Sequence, residues 1–314
     1  TRKRGEKITV VKYVIKRLLI AILTLWIILT ATFILMKSIP GDPFANEKMI
    51  LPEIRANMEA KYGLDKPEIE QYFTYMNNLL HGDFGVSFKY KNRSVNDVIA
   101  TGFPVSCTLG LTACAIGLVL GVSFGILAGV KRGKWPDYLV IFISILGVSV
   151  PAFVFASLFQ YFFAAKLQWF PVTGWGTLAT MVLPSLALGF RMVAYIARMM
   201  RTSMLDVLGQ DYIKTAKAKG LSQREIIWKH GVRNAIMPVV TVSGSMIAST
   251  MVGSFIVENI FNIPGMGKYL VDAVKTSDYT MIMGMTAFYA IVMIVMMFLV
   301  DILYMLIDPR VKMD

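Results

Sequence analysis

The chain has 314 residues and a formal net charge of +12, yet 56% of its residues are hydrophobic and only 17% are charged. A mean hydropathy of +0.60 argues against a soluble enzyme or carrier, because a soluble core does not need uninterrupted apolar runs of membrane length. No segment combines basic residues with an aromatic platform, so the positive charge does not indicate a nucleic-acid partner. Composition therefore predicts an integral membrane protein.

Six segments are long and apolar enough to cross a bilayer, which takes about 20 helical residues. They are Leu18–Met36, Phe103–Val130, Tyr138–Ala165, Thr177–Ala197, Ala235–Val257 and Tyr279–Val300. Backbone groups in lipid must be satisfied within the segment, so each is expected to be a helix. Most of the 32 Lys and Arg residues fall on the side that holds both termini, which the positive-inside rule assigns to the cytoplasm. The prediction is an all-α membrane protein with six transmembrane helices and both termini inside.

Three regions follow from this topology. Residues 1–36 form a cytosolic N-terminus and the first helix, residues 37–101 an extracytoplasmic cap, and residues 102–314 a five-helix core with a cytosolic loop at 199–234. Within the cap, Glu53–Tyr62 and Glu68–Leu80 are predicted to be amphipathic helices separated by Gly63 and Pro67. The cap either seals the helix bundle or docks an outside partner, and the sequence leaves both open.

Small residues recur at every fourth position in two of the predicted spans. The second carries Gly117, Gly121, Gly125 and Gly129, and the fifth carries Ser245, Ser249 and Gly253. Such faces let helix backbones approach closely, so we expect tight helix contacts there. The sequence does not say whether those contacts lie within the chain or across a dimer.

Residue patterns for catalysis are missing from the sequence. It contains no phosphate-binding GxxxxGK[ST] loop, no HExxH and no Cys/His cluster, so we expect no catalytic residue, no metal site and no bound nucleotide. The ionisable residues Arg191, Asp301 and Glu258 are predicted near span ends, where their side chains can reach the interface. The function classes that remain are a passive pore and a channel driven by a partner.

The cytosolic segment Asp211–Pro238 is too long for a simple connection. Asp211 is predicted to cap a helix that runs to Lys219, and Gly220 to end it. Ser222 and Glu225 form a capping box for a second short helix that is expected to end near Gly231. This helix either lies on lipid or docks on a soluble partner.

The motifs of this segment resemble the cytosolic loop of bacterial ABC-importer permeases, specifically the B-type subunit of oligopeptide and dipeptide permeases. They are YIKTAKAKGL at Tyr212–Leu221 and HGVRNAIMP at His230–Pro238. Further matching motifs are Pro40–Pro43, Tyr62–Asp65, Gly82–Gly85 with Ser87, Glu258–Gly267, Asp278–Tyr279, Asp301 and Asp308–Arg310. Lys214 stands where the general importer loop has an acidic residue, a departure that matches the peptide branch.

The resemblance implies a type I importer fold in the bacterial cytoplasmic membrane. A second homologous permease would complete a heterodimer, two cytosolic ATPases would bind ATP and Mg²⁺, and an extracytoplasmic peptide-binding protein would deliver oligopeptides. This chain, surrounded by membrane lipids, would be no enzyme and would need no cofactor of its own.

The resemblance also makes the short helix after Gly220 a coupling helix that sits in an ATPase groove. The implied contact residues are Lys219, Gly220, Leu221, Ser222, Glu225, Ile226, Ile227, Trp228 and His230. Two alternatives stay open. The same kind of permease could carry a dipeptide, a nickel chelate or glutathione, or the chain could be a channel or membrane scaffold without ATPase partners.

Overall fold

The computed structural model describes residues 2–38, 63, 65–87, 89, 93–251 and 254–307, with side chains described between residues 13 and 302. Over these residues the regular structure is helical, apart from one antiparallel bridge between Val86 and Ser94. The helices are α1 Arg2–Ser38, α2 Glu68–Leu80, α3 Val95–Val130, α4 Trp135–Ser149, α5 Ala152–Phe159, α6 Leu178–Leu208, α7 Asp211–Ala218, α8 Gln223–Glu225, α9 Arg233–Ala235, α10 Met237–Met251, α11 Phe255–Ile260, α12 Met266–Thr276 and α13 Tyr279–Ile307. Two π-helical segments, Gln160–Lys166 and Ile226–Val232, continue α5 and α8.

The number of candidate spans depends on how two bent helix pairs are counted. Four stretches are long and apolar enough to cross a membrane: Tyr13–Ser38, Val95–Val130, Leu178–Leu208 and Tyr279–Ile302. Two bent pairs, Trp135–Ser149 with Ala152–Lys166 and Gln223–Ala235 with Met237–Met251, raise the count to six if each is one span. The all-helical class predicted from the sequence is confirmed at this level.

The third predicted span, Tyr138–Ala165, is sharply bent at its proline, Pro151. Its two halves meet at an angle of 109° where Val150 is extended, with φ −100° and ψ 128°. Pro151 follows, and proline both lacks a backbone N–H and disfavours helical conformation in the residue before it. The sharp break therefore has a local cause that the apolar run conceals.

The fifth predicted span, Ala235–Val257, ends earlier than expected. Helix α10 ends at Met251, and Val257 belongs to the separate short helix α11. Ser254 begins α11 in an extended conformation, and its hydroxyl accepts a hydrogen bond from the Val257 N–H at 3.4 Å. Gly253, Glu53–Tyr62, Pro40–Pro43 and Asp308–Arg310 lie outside the described residues.

The described chain forms two compact units. The first comprises the described residues within 2–103 and 268–298, and the second those within 104–267 and 299–307.

In the first unit, helix α2 has the bounds predicted from the sequence. The Thr30 and Tyr72 hydroxyls share a 2.8 Å hydrogen bond between α1 and α2. The buried Ser87 hydroxyl donates to the Asp278 carboxylate, so the loop before α3 is fastened to the start of α13.

The second unit has its core around α6, the longest helix that lies wholly within it. Leu183, Ala187, Met192, Ile196 and Met200 are all buried on this helix. Their partners come from α3, α5, α10 and α11. Thr177 begins α6 with a capping box in which its hydroxyl accepts from the Thr180 N–H. Helix α6 therefore runs from the outer edge of a predicted span to the cytosolic segment without a break.

Candidate functional site

The predicted cytosolic segment begins with helix α7, which starts one residue earlier than the cap prediction requires. Gln210 is the N-cap and its side chain makes no capping bond, so the prediction that Asp211 caps the helix is wrong. Asp211 instead lies in the first turn, where the positive end of the helix dipole stabilises a carboxylate. It accepts a bond from exposed Lys214 at 2.8 Å.

Gly220 ends α7, as the sequence predicts. Its φ is +77°, a conformation that a side chain disfavours. The Gly220 N–H donates to the Lys217 carbonyl at 3.0 Å, and the Leu221 N–H donates to the Ala216 carbonyl at 3.3 Å. This pair of bonds is the Schellman motif, which satisfies carbonyls at a helix end and turns the chain sharply.

The capping box at Ser222 is confirmed. The Ser222 hydroxyl accepts from the Glu225 N–H at 3.3 Å, and the Glu225 carboxylate accepts from the Ser222 N–H at 3.3 Å. Glu225 also accepts from Lys229 at 3.3 Å. The start of the second helix is thus fixed by its own side chains, without help from a partner.

The second helix does not end near Gly231, which corrects the sequence prediction. It continues as the π-helical segment Ile226–Val232 and then as α9 to Ala235. Gly231 is buried, and a Cβ placed on it would lie 3.4 Å from Met204 Cε and 3.5 Å from Leu208 Cδ2 on helix α6. These are ordinary van der Waals distances, so Gly231 is a packed position inside the helix and does not reverse the chain.

The three apolar side chains of this helix differ in exposure. Ile226 is buried at 1% exposure against Ile213 and Ala216 of α7. Ile227 packs on the cluster that contains Met204. Trp228 is 57% exposed. Ile226 therefore has its cover within the chain, and Trp228 is the large apolar side chain left for another molecule.

The remaining implied contact residues lie in the turn before the second helix or within that helix. Leu221 and Ser222 are exposed, as are Lys219 and Gly220. His230 is half-buried and lines an open concave surface of about 710 Å³ together with Lys229, Arg233 and Asn234. The side-chain amide of Asn234 donates to the Tyr212 hydroxyl at 3.2 Å, which ties this surface to α7. The concave surface is basic and would suit an acidic protein face.

The four glycines of α3 all lie against α6, within the chain. A Cβ on Gly117 would lie 2.8 Å from Met192 Cβ, and one on Gly121 would lie 2.7 Å from Ile196 Cβ. The equivalent atoms on Gly125 and Gly129 would each lie 2.5 Å from the Cβ of Met200 or Met204. Both helices advance by four residues at each contact, so two parallel rows of residues interlock.

Ser245 and Ser249 bond within their own helix, and the close packing expected of them stays a prediction. Each hydroxyl donates to a carbonyl of its own helix, Val242 or Met246, at 2.9 Å. The close approach of α10 is instead made by Gly110, whose Cβ would lie 2.5 Å from the Thr250 carbonyl oxygen. Gly147 and Gly189 make further close contacts, with Ala194 and Ala113. Sequence reasoning missed these three glycines because they have no repeating spacing.

Asp137 was also missed as a structural residue. It is 2% exposed, and its carboxylate accepts from Arg201 Nη2 at 3.0 Å and from the Gly133 N–H at 2.9 Å. The pair fastens the turn before α4 to the cytosolic part of α6. The only signal in the sequence is one acid among the basic residues of a short loop.

Glu258 does not reach an interface, so the prediction for this residue is wrong. Its side chain is fully buried, and it accepts a bond from the Gly267 N–H at 2.7 Å. Side chains at Gly265 or Gly267 would collide with the carboxylate. The glycines of the Glu258–Gly267 motif therefore make room for a buried acid that organises the turn between α11 and α12.

These features define an all-helical chain with candidate membrane spans and a capped, partly exposed short helix between two of them. Solved structures of the same fold are membrane transporters. One is an amino acid ABC transporter with histidines, which matches with a TM-score of 0.52 and 15% identity over 66% of this chain and 93% of that chain. Another is the MetNI methionine ABC transporter in inward facing conformations, with a TM-score of 0.51 and 16% identity over 67% of this chain and 96% of that chain.

Family models then cover almost the whole sequence. Residues 117–313 match the binding-protein-dependent transport system inner membrane component, and residues 10–112 match the N-terminal part of such a membrane component. The chain belongs to this family of inner-membrane permeases of ABC importers. It is thus a membrane component of a transporter, as the sequence motifs indicated.

Named relatives are similar along their full length. The dipeptide transport system permease protein DppB of Bacillus subtilis is 47% identical over 96% of this chain and 98% of the relative. The oligopeptide transport system permease proteins OppB of Haemophilus influenzae and Salmonella typhimurium are 46% and 41% identical, each over 96% of this chain and 99% of the relative.

Proposed function

We propose that this chain forms half of the translocation pathway for oligopeptides and couples it to two cytosolic ATPase subunits. The peptide cargo is supported by the names of relatives that are 41–47% identical over nearly the whole chain. The ATPases would bind ATP and Mg²⁺, while this chain would need no cofactor.

The coupling proposal rests on a continuous packing path that leads from the exposed cytosolic helix to helix α6. Trp228 is exposed, whereas Ile227 and Gly231 of the same helix pack on Met204 and its neighbours in α6. Close-packed interiors transmit displacement because they leave few voids to absorb it. A force on the exposed face would therefore move α6.

The path continues from α6 into α3. Four glycines of α3 leave no space beside the α6 side chains. Rigid-body movement of packed helices is a common way in which a local event opens or closes a distant site. Residues 199–234 would act as the coupling loop of a five-helix core at 102–314.

The remaining arrangement follows the family. We propose six membrane spans with both termini in the cytoplasm, a second homologous permease as heterodimer partner, and an extracytoplasmic binding protein that docks on the cap at 37–101. The exposed apolar side chains of α4, among them Leu139, Phe142 and Ile145, suit contact with lipid or with another span. Family membership favours this importer over a channel or scaffold without ATPases. A dipeptide, nickel chelate or glutathione remains the competing cargo.

Crosslinking from two exposed tryptophans tests the coupling proposal and the topology together. Trp228 is 57% exposed and Trp169 is 67% exposed, and the proposal places them on opposite sides of the membrane. A photoreactive amino acid at Trp228 is expected to give an adduct with an ATPase subunit, and the same probe at Trp169 none. Adducts from Trp228 to lipid alone would contradict coupling through this helix.

Uptake into proteoliposomes tests the cargo. The full complex with its binding protein is expected to accumulate labelled oligopeptides in an ATP-dependent manner. Uptake of a nickel chelate or glutathione with no peptide uptake would contradict the proposed cargo.

A further inference from the structure

Helix α6 has one exposed face, and that face is polar. From Met181 to Leu208 the exposed residues are Arg191, Tyr195, Arg198, Thr202 and Asp206. At about 100° per residue they fall within roughly 80° of arc. We call these five residues the polar stripe. Every other residue in this part of α6 is buried or half-buried.

The exposed face of α4 provides a contrast within the same unit. There Leu139 is 46% exposed, Phe142 58% and Ile145 51%. Such side chains suit a hydrocarbon environment, whereas charged side chains at membrane depth are costly and face water or protein. The polar stripe therefore has the composition of a wall that lines water.

Arg191 and Tyr195 are the two members of the stripe nearest the middle of the candidate span Leu178–Leu208. Arg191 comes 13 residues after Leu178, which places it about 20 Å along the helix at a rise of about 1.5 Å per residue. Side chains on a helix tilt toward its N-terminus, which the proposed topology places outside. Arg191 therefore points away from the cytosolic headgroups and toward an outer interface that is about 20 Å away, so snorkelling to either interface is unfavourable.

Arg191 also differs from the arginine that the same helix uses for structure. Arg201 donates to buried Asp137, while no acidic side chain of the described residues pairs with Arg191. A guanidinium that pairs with no acidic side chain in the part of the chain that the structure describes keeps its five N–H donors for another molecule. The planar fork of these donors matches a carboxylate in two parallel bonds.

We propose that the polar stripe lines the water-filled pathway and that Arg191 binds the C-terminal carboxylate of the peptide during passage. This inference rests on the proposed peptide cargo. Oligopeptides of different sequence share a main chain and two termini, and the terminal carboxylate is the one anionic group that all of them carry. A fixed cation in the pathway can therefore contact every cargo without reading its side chains. Tyr195, one turn further along, offers a phenol hydroxyl beside it.

Cysteine labelling tests the stripe without any transport. In the assembled complex, with Cys107 and Cys114 replaced by Ser, the Tyr195→Cys variant is compared with Phe142→Cys. Tyr195 is 41% exposed and Phe142 58%, so exposure alone predicts faster labelling at Phe142. A charged methanethiosulfonate reagent is expected to label Tyr195→Cys and to spare Phe142→Cys. An unlabelled Tyr195→Cys variant would overturn the proposal, because the stripe would then be covered.

Two peptides of one sequence test the carboxylate contact. One carries a free C-terminus and the other a C-terminal amide, and both are supplied at saturating loaded binding protein. The binding protein is the same for every permease variant, so its own preference cancels from the comparison. Arg191→Gln is expected to lower the initial uptake rate of the free acid about tenfold and that of the amide by less than about twofold. Arg191→Lys, which keeps the charge, should recover part of the loss.

The alternatives give different outcomes. Equal loss for both peptides, or loss of complex assembly in Arg191→Gln and Arg191→Lys alike, would indicate a structural role and overturn the carboxylate contact. A wild-type complex that carries a nickel chelate but neither peptide would overturn the proposed function and the contact together. In that case the labelling contrast would still report whether the stripe lines water.

Discussion

Glycine serves opposite purposes in two regions of the second unit. On α3 the glycines have no free space, because a Cβ on Gly125 would lie 2.5 Å from Met200 Cβ and 2.7 Å from the Ala197 carbonyl oxygen. At the turn after α7, Gly220 has nothing within 4 Å of an added Cβ, but its φ is +77°. The first region needs the missing volume, and the second needs the conformational freedom.

The two regions therefore have different structural roles in this unit. The α3–α6 interface is a rigid interior in which extra atoms force two backbones apart. The cytosolic helix is exposed and is shaped by local rules, namely a glycine turn, a capping box and a few buried side chains. Under the proposed coupling, a partner would bind the second region while the first would carry the movement inward.

The largest expected effect is at the rigid interface. Gly125→Leu should separate α3 from α6, because the contacting atoms include backbone that cannot rotate away. We expect the free energy of unfolding to fall by about 3 kcal/mol or more and little complex to assemble. Val119→Leu is the control, since Val119 is on the same helix and 64% exposed. The yield of purified complex and its thermal midpoint measure the effect, and normal assembly of Gly125→Leu would show that the interface is looser than described.

Breaking the cytosolic helix should have the next largest effect, of a different kind. Ile226→Pro removes an N–H that donates to the Ser222 carbonyl at 3.0 Å, at a cost of about 3 kcal/mol. The spans should still insert, but transport should be lost and the ATPases released or uncoupled. Ile226→Val, which keeps the N–H and costs about 1 kcal/mol, is the control. Membrane insertion tests the first expectation and co-purification of the ATPases tests the second. Retained coupling in Ile226→Pro would contradict the proposal that this helix is the coupling helix.

Trp228→Ala should weaken partner binding without affecting the fold. The side chain is exposed in this chain, so its burial depends on the partner. A central aromatic contact contributes about 2 kcal/mol, which corresponds to roughly a 30-fold weaker affinity. Titration of the ATPase subunit onto the permease complex would measure this. An unchanged affinity would show that Trp228 faces lipid, as the alternative reading of this helix holds.

The smallest effects should come from the turn itself. Gly220→Ala adds backbone strain of about 1 kcal/mol but no collision, and Ser222→Ala removes one cap bond at about 1 kcal/mol. Gly220→Asn should cost less than Gly220→Ala, because asparagine tolerates this conformation better. Thermal midpoints of the three variants test the order. If Gly220→Ala lowered the thermal midpoint as much as Gly125→Leu, the two regions would not differ in how they use glycine.

Local features of the chain were predictable from the sequence. Three features depend only on residues within one or two helical turns of each other and can therefore be read from the sequence. They are the bounds of α2, the end of α7 at Gly220 and the capping box at Ser222. The membrane class and the family follow from long apolar runs and ordered motifs. These predictions required no knowledge of which elements meet.

Only the tertiary structure decided what lies beside each residue. Gly231 resembles a helix end in the sequence, but it is buried against α6 and the helix passes through it. Glu258 resembles an interfacial acid, but two glycines nine or fewer residues away enclose it. Ile226 and Trp228 are both apolar residues of one short helix, yet one is covered by α7 and the other is not. The physical reason is common to all three: burial depends on the neighbours that packing brings together, and those neighbours are set by interlocking helix surfaces that no local pattern records.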